Sequence, residues 1–200
     1  MHWYKRSGAS EESFDNGASS WRALHNATRI IPILKDVTLL ILAIVAIVAA
    51  ISIRQESARD SCDCGSSTAT ARALGCEYDT LAAAWLPQHC IDKELTREFD
   101  RAGDRANGTW GYFADSKFNH ELTIDEVAAL ADVPDALIYM TPRWHAVHCL
   151  FYWRKQVRRQ FTGVTIEPRF NTEGHAKHCW KVFEHPEIKT KSGVGLNSDL

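Results

Sequence analysis

A short motif of two histidines and one cysteine occurs twice in the sequence with identical spacing. In each copy the three residues stand at positions i, i+3 and i+4, so that on a helix they project from one face. Neutral imidazole is the commonest biological metal ligand and suits copper, zinc and iron. A single buried histidine is more often a hydrogen-bonded core residue, but the repetition favours a metal site. The two copies are His145-Ala-Val-His148-Cys149 and His175-Ala-Lys-His178-Cys179.

Both motifs lie in segments that carry signals for the start and end of a helix. Thr141-Pro142 provides an N-cap residue followed by a proline at the first helical position, and this helix is expected to reach about Phe161. Thr172 is a plausible N-cap for the second helix, which Pro186 ends. The first helix is apolar around its histidines, so we expect it to be buried there, with basic residues such as Lys155 toward its outer end. Two such helices packed face to face would bring four imidazoles and two sulfurs together.

The motif cysteines Cys149 and Cys179 have two possible roles. As thiolates they would give a structural Cys2His2 site of the zinc type. As a disulfide they would join the two helices and leave four histidines available, and an oxidising compartment favours this alternative. Two further bridges would then use the other four cysteines, although six cysteines allow fifteen pairings. These four are Cys62, Cys64, Cys76 and Cys90.

One apolar segment, Val37–Ile53, contains no charged residue. At ~1.5 Å per residue it covers roughly 25 Å, close to the lower limit for crossing a membrane core of ~30 Å. A cleaved signal peptide is the competing interpretation, but the 36 preceding residues are too many for the charged start of a signal peptide. The sequence therefore predicts an uncleaved, single-pass membrane anchor.

The orientation follows mainly from the cysteines, because positive charges are nearly balanced on the two sides of the apolar segment. All six cysteines lie after this segment, and an even number on one side suits a compartment that permits disulfides. Asn107-Gly-Thr is then a usable glycosylation site. We expect a type II membrane protein of the secretory pathway (endoplasmic reticulum, Golgi or vesicles) with a lumenal domain.

The fold class expected is mainly α: one transmembrane helix and a small helical, disulfide-containing lumenal domain with few short strands. Helices are predicted at Thr68–Leu74, Thr80–Leu86, Asp92–Ala102 and Thr123–Leu130. The net charge of −2 gives no indication of nucleic-acid binding. The expected organisation is a disordered cytoplasmic tail (1–36), the transmembrane helix (37–53), a stalk (54–66), the lumenal domain (67–188) and a polar tail (189–200).

The doubled motif behind one N-terminal membrane helix resembles the fungal UstYa-like proteins of mycotoxin biosynthesis. The stretch Cys76–Cys90 with Asp92 and Glu98-Phe99, and Thr141-Pro-Arg-Trp144 before the first motif, look like a subgroup of that family. The resemblance covers about Val37 to His185.

This resemblance implies oxidative tailoring of peptides and other secondary metabolites by cyclisation, hydroxylation or desaturation. The family's motif residues correspond to His145, His148, Cys149, His175, His178 and Cys179. A peptide or other secondary metabolite is the expected substrate, and pairing with a related family member is a further expectation. Halogenation on the same scaffold, or a non-catalytic anchored zinc or disulfide module that scaffolds partner enzymes, are the alternatives.

Oxidation requires an electron acceptor that side chains alone do not provide. The sequence has no Gly-rich dinucleotide motif and no haem-attachment motif, so a histidine-bound redox metal with dioxygen is the simplest choice. Four imidazoles without carboxylates fit copper best, whereas non-haem iron typically uses two histidines and one carboxylate. Asp79, Asp92 or Glu98 could supply that carboxylate, which keeps iron open, and zinc is expected if the site is structural.

Overall fold

The computed structural model describes residues 15–186 and 190–200, with side chains described for 32–55, 61–186 and 190–200. The chain divides into two compact units after Gln55. About 51% of the residues are helical, with a few short strands and three disulfides, which confirms the predicted fold class. The helices are α1 (Asp15–Asp60), α2 (Thr68–Ala73), α3 (Lys93–Phe99), α4 (Ile124–Ala129), α5 (Pro142–Thr162) and α6 (Glu173–Glu184).

Helix α1 contains the predicted membrane segment. Within it, Pro32–Gln55 has a mean hydropathy of 2.7 and none of it is buried, so this stretch is long and apolar enough to cross a membrane. The helix continues beyond Val37–Ile53 at both ends, into residues expected to form the tail and the stalk. Residues 1–14 of the expected tail lie outside the described residues. A signal sequence also fits a single apolar helix near the N-terminus, and the orientation stays a prediction.

The strands form two small antiparallel sheets. In one, β1 pairs with β2 and Tyr78 lies opposite Trp85. The other has four strands in the order β4-β3-β5-β6. The strands are β1 (Glu77–Asp79), β2 (Ala84–Leu86), β3 (Tyr112–Phe113), β4 (Glu121–Leu122), β5 (Ile138–Met140) and β6 (Thr190–Ser192).

The helix predicted at Thr80–Leu86 is wrong. The segment forms a turn followed by β2, and Ala83 in the turn has a positive φ of 51°. All residues of the segment are buried, and a short apolar run buried on every side suits a strand as well as a helix. The Asp79 side chain stabilises the turn by accepting a 2.7 Å hydrogen bond from the Ala82 N–H.

The end of the chain, expected to be a tail, is part of the folded unit. Strand β6 pairs with β5, and the backbone N–H groups of Trp85 and Cys64 donate to the carbonyls of Gly195 and Leu196. Ser61, in the expected stalk, donates to the Asp199 carboxylate. These contacts use backbone and polar groups, which leave no apolar pattern in the sequence.

All six cysteines are paired. The bonds are Cys62–Cys90, Cys64–Cys76 and Cys149–Cys179, so the favoured alternative of three bridges is confirmed. Two of them close the segment that surrounds β1 and β2, and the third joins α5 to α6. Only the Cys149–Cys179 bridge therefore connects the two helices that carry the histidine motifs.

The main core is aromatic and centres on Phe99 at the end of α3. Trp110, Trp144 and Phe151 pack around this ring with centroid distances of 5.2 to 5.6 Å. The Asp92 side chain caps α3 by accepting from the Leu95 N–H. The core thus fixes α3 against the first three turns of α5, which include the first motif.

Candidate metal centre

Helices α5 and α6 begin as the sequence predicts. The Thr141 and Thr172 side chains accept hydrogen bonds from the N–H groups of Trp144 and His175. The Cys149–Cys179 disulfide, with a Cα–Cα distance of 5.5 Å, holds the two helices together one turn beyond each first histidine. The expected face-to-face packing of the two motifs is therefore observed.

The four motif histidines, which we call the histidine cluster, lie in one group. The ring centroids of His145 and His178 are 4.8 Å apart and those of His148 and His175 are 5.8 Å apart. The remaining neighbour distances, 6.1 and 6.4 Å, close a ring of four imidazoles. All four line one cavity of about 180 Å³.

Two histidines of the cluster are fixed by backbone carbonyls. His148, which is buried, donates from Nδ1 to the Leu81 carbonyl oxygen at 2.7 Å, and His175 donates from Nδ1 to the Phe170 carbonyl oxygen at 3.1 Å. A proton on Nδ1 leaves the lone pair on Nε2, which is how metal-binding histidines are usually oriented. The two carbonyls therefore prepare both rings as Nε2 ligands.

The other two histidines face each other. The Nε2 atoms of His145 and His178 are 2.9 Å apart. Two imidazole nitrogens bound to one ion at ~2.0–2.1 Å each would lie roughly 3 Å apart. The distance between the two Nε2 atoms therefore fits two ligands of a single ion. It fits equally well a hydrogen bond that one imidazole donates to the other.

The full set of four nitrogens does not converge on one point. Among the described residues, one group of three potential metal ligands has its donor atoms within 4.8 Å of one another. It consists of Cys149, His175 and Cys179. Its two sulfurs are bonded to each other, so they are not thiolates, and the Cys2His2 zinc site is excluded. His175 Nε2 lies 3.6 Å from the Cys179 sulfur. The four donor nitrogens therefore do not form a single four-ligand set in this arrangement of the rings.

Burial favours the neutral form of three histidines of the cluster, because it lowers their pKa values. Burial, followed by the neighbouring His178 and His175, lowers the pKa of His145 to about 4. Burial also lowers the pKa of His148 and of His175, although the hydrogen bonds to the Leu81 and Phe170 carbonyls oppose this shift. Neutral imidazoles keep the lone pairs that a metal ion needs.

A buried polar network that the sequence did not predict packs against His148 and His175 of the cluster. The Tyr152 ring contacts the rings of His148 and His175 at 4.7 and 5.5 Å, and its hydroxyl donates to Glu167 Oε1 at 2.9 Å. Lys155 is almost fully buried and pairs with the same oxygen at 2.8 Å. The expectation that Lys155 lies toward the outer end of α5 is therefore wrong. Lys155 is seven residues after His148 and so lies on the same helix face, which could have predicted its burial. Glu167 lies in an irregular loop, where no periodic pattern predicts burial.

The outer side of α5 is also more exposed than expected. On this side the apolar side chains of Leu150, Trp153 and Val157 are 48%, 38% and 58% exposed. The Trp153 ring packs on Phe183 of α6 instead. Burial of α5 is thus confined to the side that carries His148, Tyr152 and the core aromatic residues.

Two of the carboxylates considered as iron ligands pair with arginines. Asp92 accepts from Arg158 and Glu98 from Arg154. Asp79, the third, accepts from the Ala82 N–H and the Thr96 hydroxyl. Among the described residues, none of the three lines the histidine cavity.

A second cavity adjoins the His145–His178 pair. It has a volume of about 220 Å³, and His145 and His178 line it together with Pro142, Lys181, Val182, His185 and Pro186. This cavity is mostly apolar and includes the two facing imidazoles. A small apolar group placed there would contact the histidine pair directly.

Two curated fungal proteins are similar to this chain. Phomopsin biosynthesis cluster proteins B and B′ of Diaporthe leptostromiformis are each 29% identical to it over 120 residues, which is 58% of this chain and 34% of each relative. The match thus spans about a third of the length of these relatives. No family model matches the chain. No solved structure matches it either.

Proposed function

We propose that this protein is a membrane-anchored oxidase that tailors a fungal secondary metabolite, in particular a ribosomally made peptide, at a metal held by the histidine cluster. The reactions that fit are oxidative cyclisation, hydroxylation and desaturation. The observation that carries the proposal is the meeting of four imidazoles at one cavity, with two of them oriented by backbone carbonyls.

Similarity to the phomopsin biosynthesis cluster proteins supports a role in fungal secondary metabolism. The doubled motif, which resembles the UstYa-like family, supports the oxidative assignment. Pro32–Gln55 supports the anchor, since it is long and apolar enough to span a membrane. A type II orientation with a lumenal domain is proposed because all six cysteines are paired and all follow this helix.

Copper is the metal that the donor set favours. The histidine cluster offers imidazole nitrogens, and none of the described carboxylates considered for iron lines the cavity. When bound, such an ion would supply electron exchange with dioxygen. His145 and His178, whose Nε2 atoms face each other, would hold the ion, and His148 and His175 would offer their Nε2 atoms at the same cavity. The apolar walls of the second cavity would position the substrate against the His145–His178 pair and restrict water.

The experiment that tests this function is product analysis after co-expression with the partner biosynthetic genes. Replacing any one of the four histidines by Ala is expected to abolish the oxidised product while the protein still accumulates, because an incomplete ligand set cannot hold the ion. Tyr152→Phe should reduce product by about 10–100-fold or less, since it acts only through the ligands.

Lys177→Ala is the matched control for these variants. Lys177 lies between the two histidines of the second motif, but its side chain is exposed and pairs with Glu173. This variant should form product at the wild-type level. Full activity in all four histidine variants would refute the oxidase, and a halogenated product would redirect the proposal to halogenation.

A further inference from the structure

A third cavity lies apart from the histidine cluster, between α3, the β3–β4 hairpin and the start of α4. Its volume of about 470 Å³ is in the range of pockets that bind small ligands. Three aromatic side chains, Tyr78, Trp110 and Tyr112, contribute to its wall, and Asp100 lies among them. We call it the Asp100 cavity.

The charges that line the Asp100 cavity leave one carboxylate uncompensated. Arg105 and Glu121 form an ion pair with each other, so their charges cancel. Asp100 has no cationic partner among the described residues, and the hydrogen bond it accepts is from the Thr80 hydroxyl at 2.5 Å. Burial, reinforced by the nearby Asp79, raises the pKa of Asp100. A cation in the cavity would relieve this unfavourable environment.

A second polar group at the same cavity lacks a partner. The Tyr78 hydroxyl is buried, and among the described residues nothing forms a hydrogen bond with it. The polar atoms of the other two aromatic side chains are engaged, because Trp110 donates to the Phe99 carbonyl and Tyr112 accepts from Trp144. Buried hydroxyl groups are normally hydrogen-bonded, so this oxygen indicates a missing donor or acceptor.

We propose that the Asp100 cavity binds an organic cation, an ammonium or guanidinium group carried by a small molecule or a peptide side chain. Asp100 provides the counter-charge, and the Tyr78 hydroxyl accepts a hydrogen bond from the bound N–H group. The aromatic residues of the wall also suit a cation. Trp144 stacks on His148 and donates to Tyr112, so one hydrogen-bonded aromatic pair separates this cavity from the histidine cluster. Cation binding here does not depend on the metal.

The test is isothermal titration calorimetry of the full-length protein in detergent micelles. The probes are the N-acetyl N-methylamides of lysine and arginine, with that of norleucine as the neutral comparison. We expect at least one cationic probe to bind about tenfold or more tightly than norleucine. Asp100→Asn should remove this preference, because it deletes the charge and keeps an acceptor for Thr80, and losing a charged hydrogen bond typically costs about tenfold.

Three further variants make the outcome decisive. Tyr78→Phe should weaken the cationic probe several-fold while leaving thermal stability unchanged or higher, since it deletes an unpartnered buried hydroxyl. Glu98 is an exposed carboxylate outside the cavity and pairs with Arg154. The Glu98→Gln variant should therefore bind the probes like the wild type. His145→Ala should also bind like the wild type, which separates this site from the proposed oxidase. Equal binding of lysine, arginine and norleucine, no binding of any probe, or an unchanged preference in Asp100→Asn would overturn the proposal.

Discussion

The four histidines of the cluster differ in what holds their rings. His148 and His175 are anchored through Nδ1 to carbonyls of the turn before β2 and of the loop before α6. His145 and His178 contact each other through Nε2 at 2.9 Å. Carbonyl hydrogen bonds therefore orient two of the rings without an ion, whereas the spacing of the facing pair fits either a hydrogen bond between the imidazoles or a shared metal ion.

Acid should destabilise the fold through the histidine cluster. The pKa of His145 is about 4 in the folded protein, below the ~6.5 of an unperturbed histidine. A lowered folded pKa contributes stability that is fully present above about pH 6.5 and is lost as the pH falls toward 4. The free energy of unfolding, from denaturant titrations at several pH values in this window, should fall with pH. His145→Gln should show a shallower fall, and an identical fall would contradict the assignment.

At the scale of elements, the sequence predicted the helices with caps and missed the parts whose contacts are made by backbone. The helix predicted from Thr123 begins there as α4, and the Thr123 and Glu126 side chains form a capping box at its start. Helices α5 and α6 also begin after their predicted caps. The turn at residues 80–83 could not be predicted in the same way, because its conformation depends on the distant partners of Asp79 and Leu81.

The candidate site shows the same division. The spacing predicted that each motif lies on one face of a helix, because i, i+3 and i+4 positions share a face. The packing of the two faces against each other was an expectation from the repetition of the motif. The carbonyls of Leu81 and Phe170 carry no signal in the side-chain sequence, and neither does Glu167. The groups that orient the imidazoles can therefore be identified only from the structure.

The buried ion pair between α5 and the loop before α6 should be important for stability. Lys155 and Glu167 are 1% and 0% exposed, and Glu167 also accepts from Tyr152 below the cluster. Lys155→Met removes one partner and leaves a buried carboxylate, so it should lower the free energy of unfolding by about 3–5 kcal/mol. Chemical denaturation measures this difference.

The exposed pair on α6 is the control for that experiment. Lys177→Met removes a pair whose side chains are 71% and 81% exposed, and such pairs contribute about 0–1 kcal/mol. The double variant Lys155→Met/Glu167→Leu should recover much of the lost stability. Similar losses for Lys155→Met and Lys177→Met would show that the buried pair has no special role.

For the whole molecule, the proposed type II topology places the folded unit in the lumen. Asn107 is exposed, and its side chain accepts hydrogen bonds from the N–H and hydroxyl of Thr109 within the sequon. If the unit is lumenal, Asn107 should carry a glycan. Endoglycosidase treatment should then lower the apparent mass of the wild type and leave Asn107→Gln unchanged. No mass change, together with digestion of the domain by protease added to intact microsomes, would place it in the cytoplasm.

The proposed oxidase depends on a redox metal at the histidine cluster. Elemental analysis of the purified full-length protein tests this most directly, with His145→Ala and Lys177→Ala purified in parallel. We predict copper at close to one ion per chain in the wild type and in Lys177→Ala, and its loss in His145→Ala. Wild-type protein that holds only zinc, or copper that stays at the wild-type level in His145→Ala, would contradict the central claim.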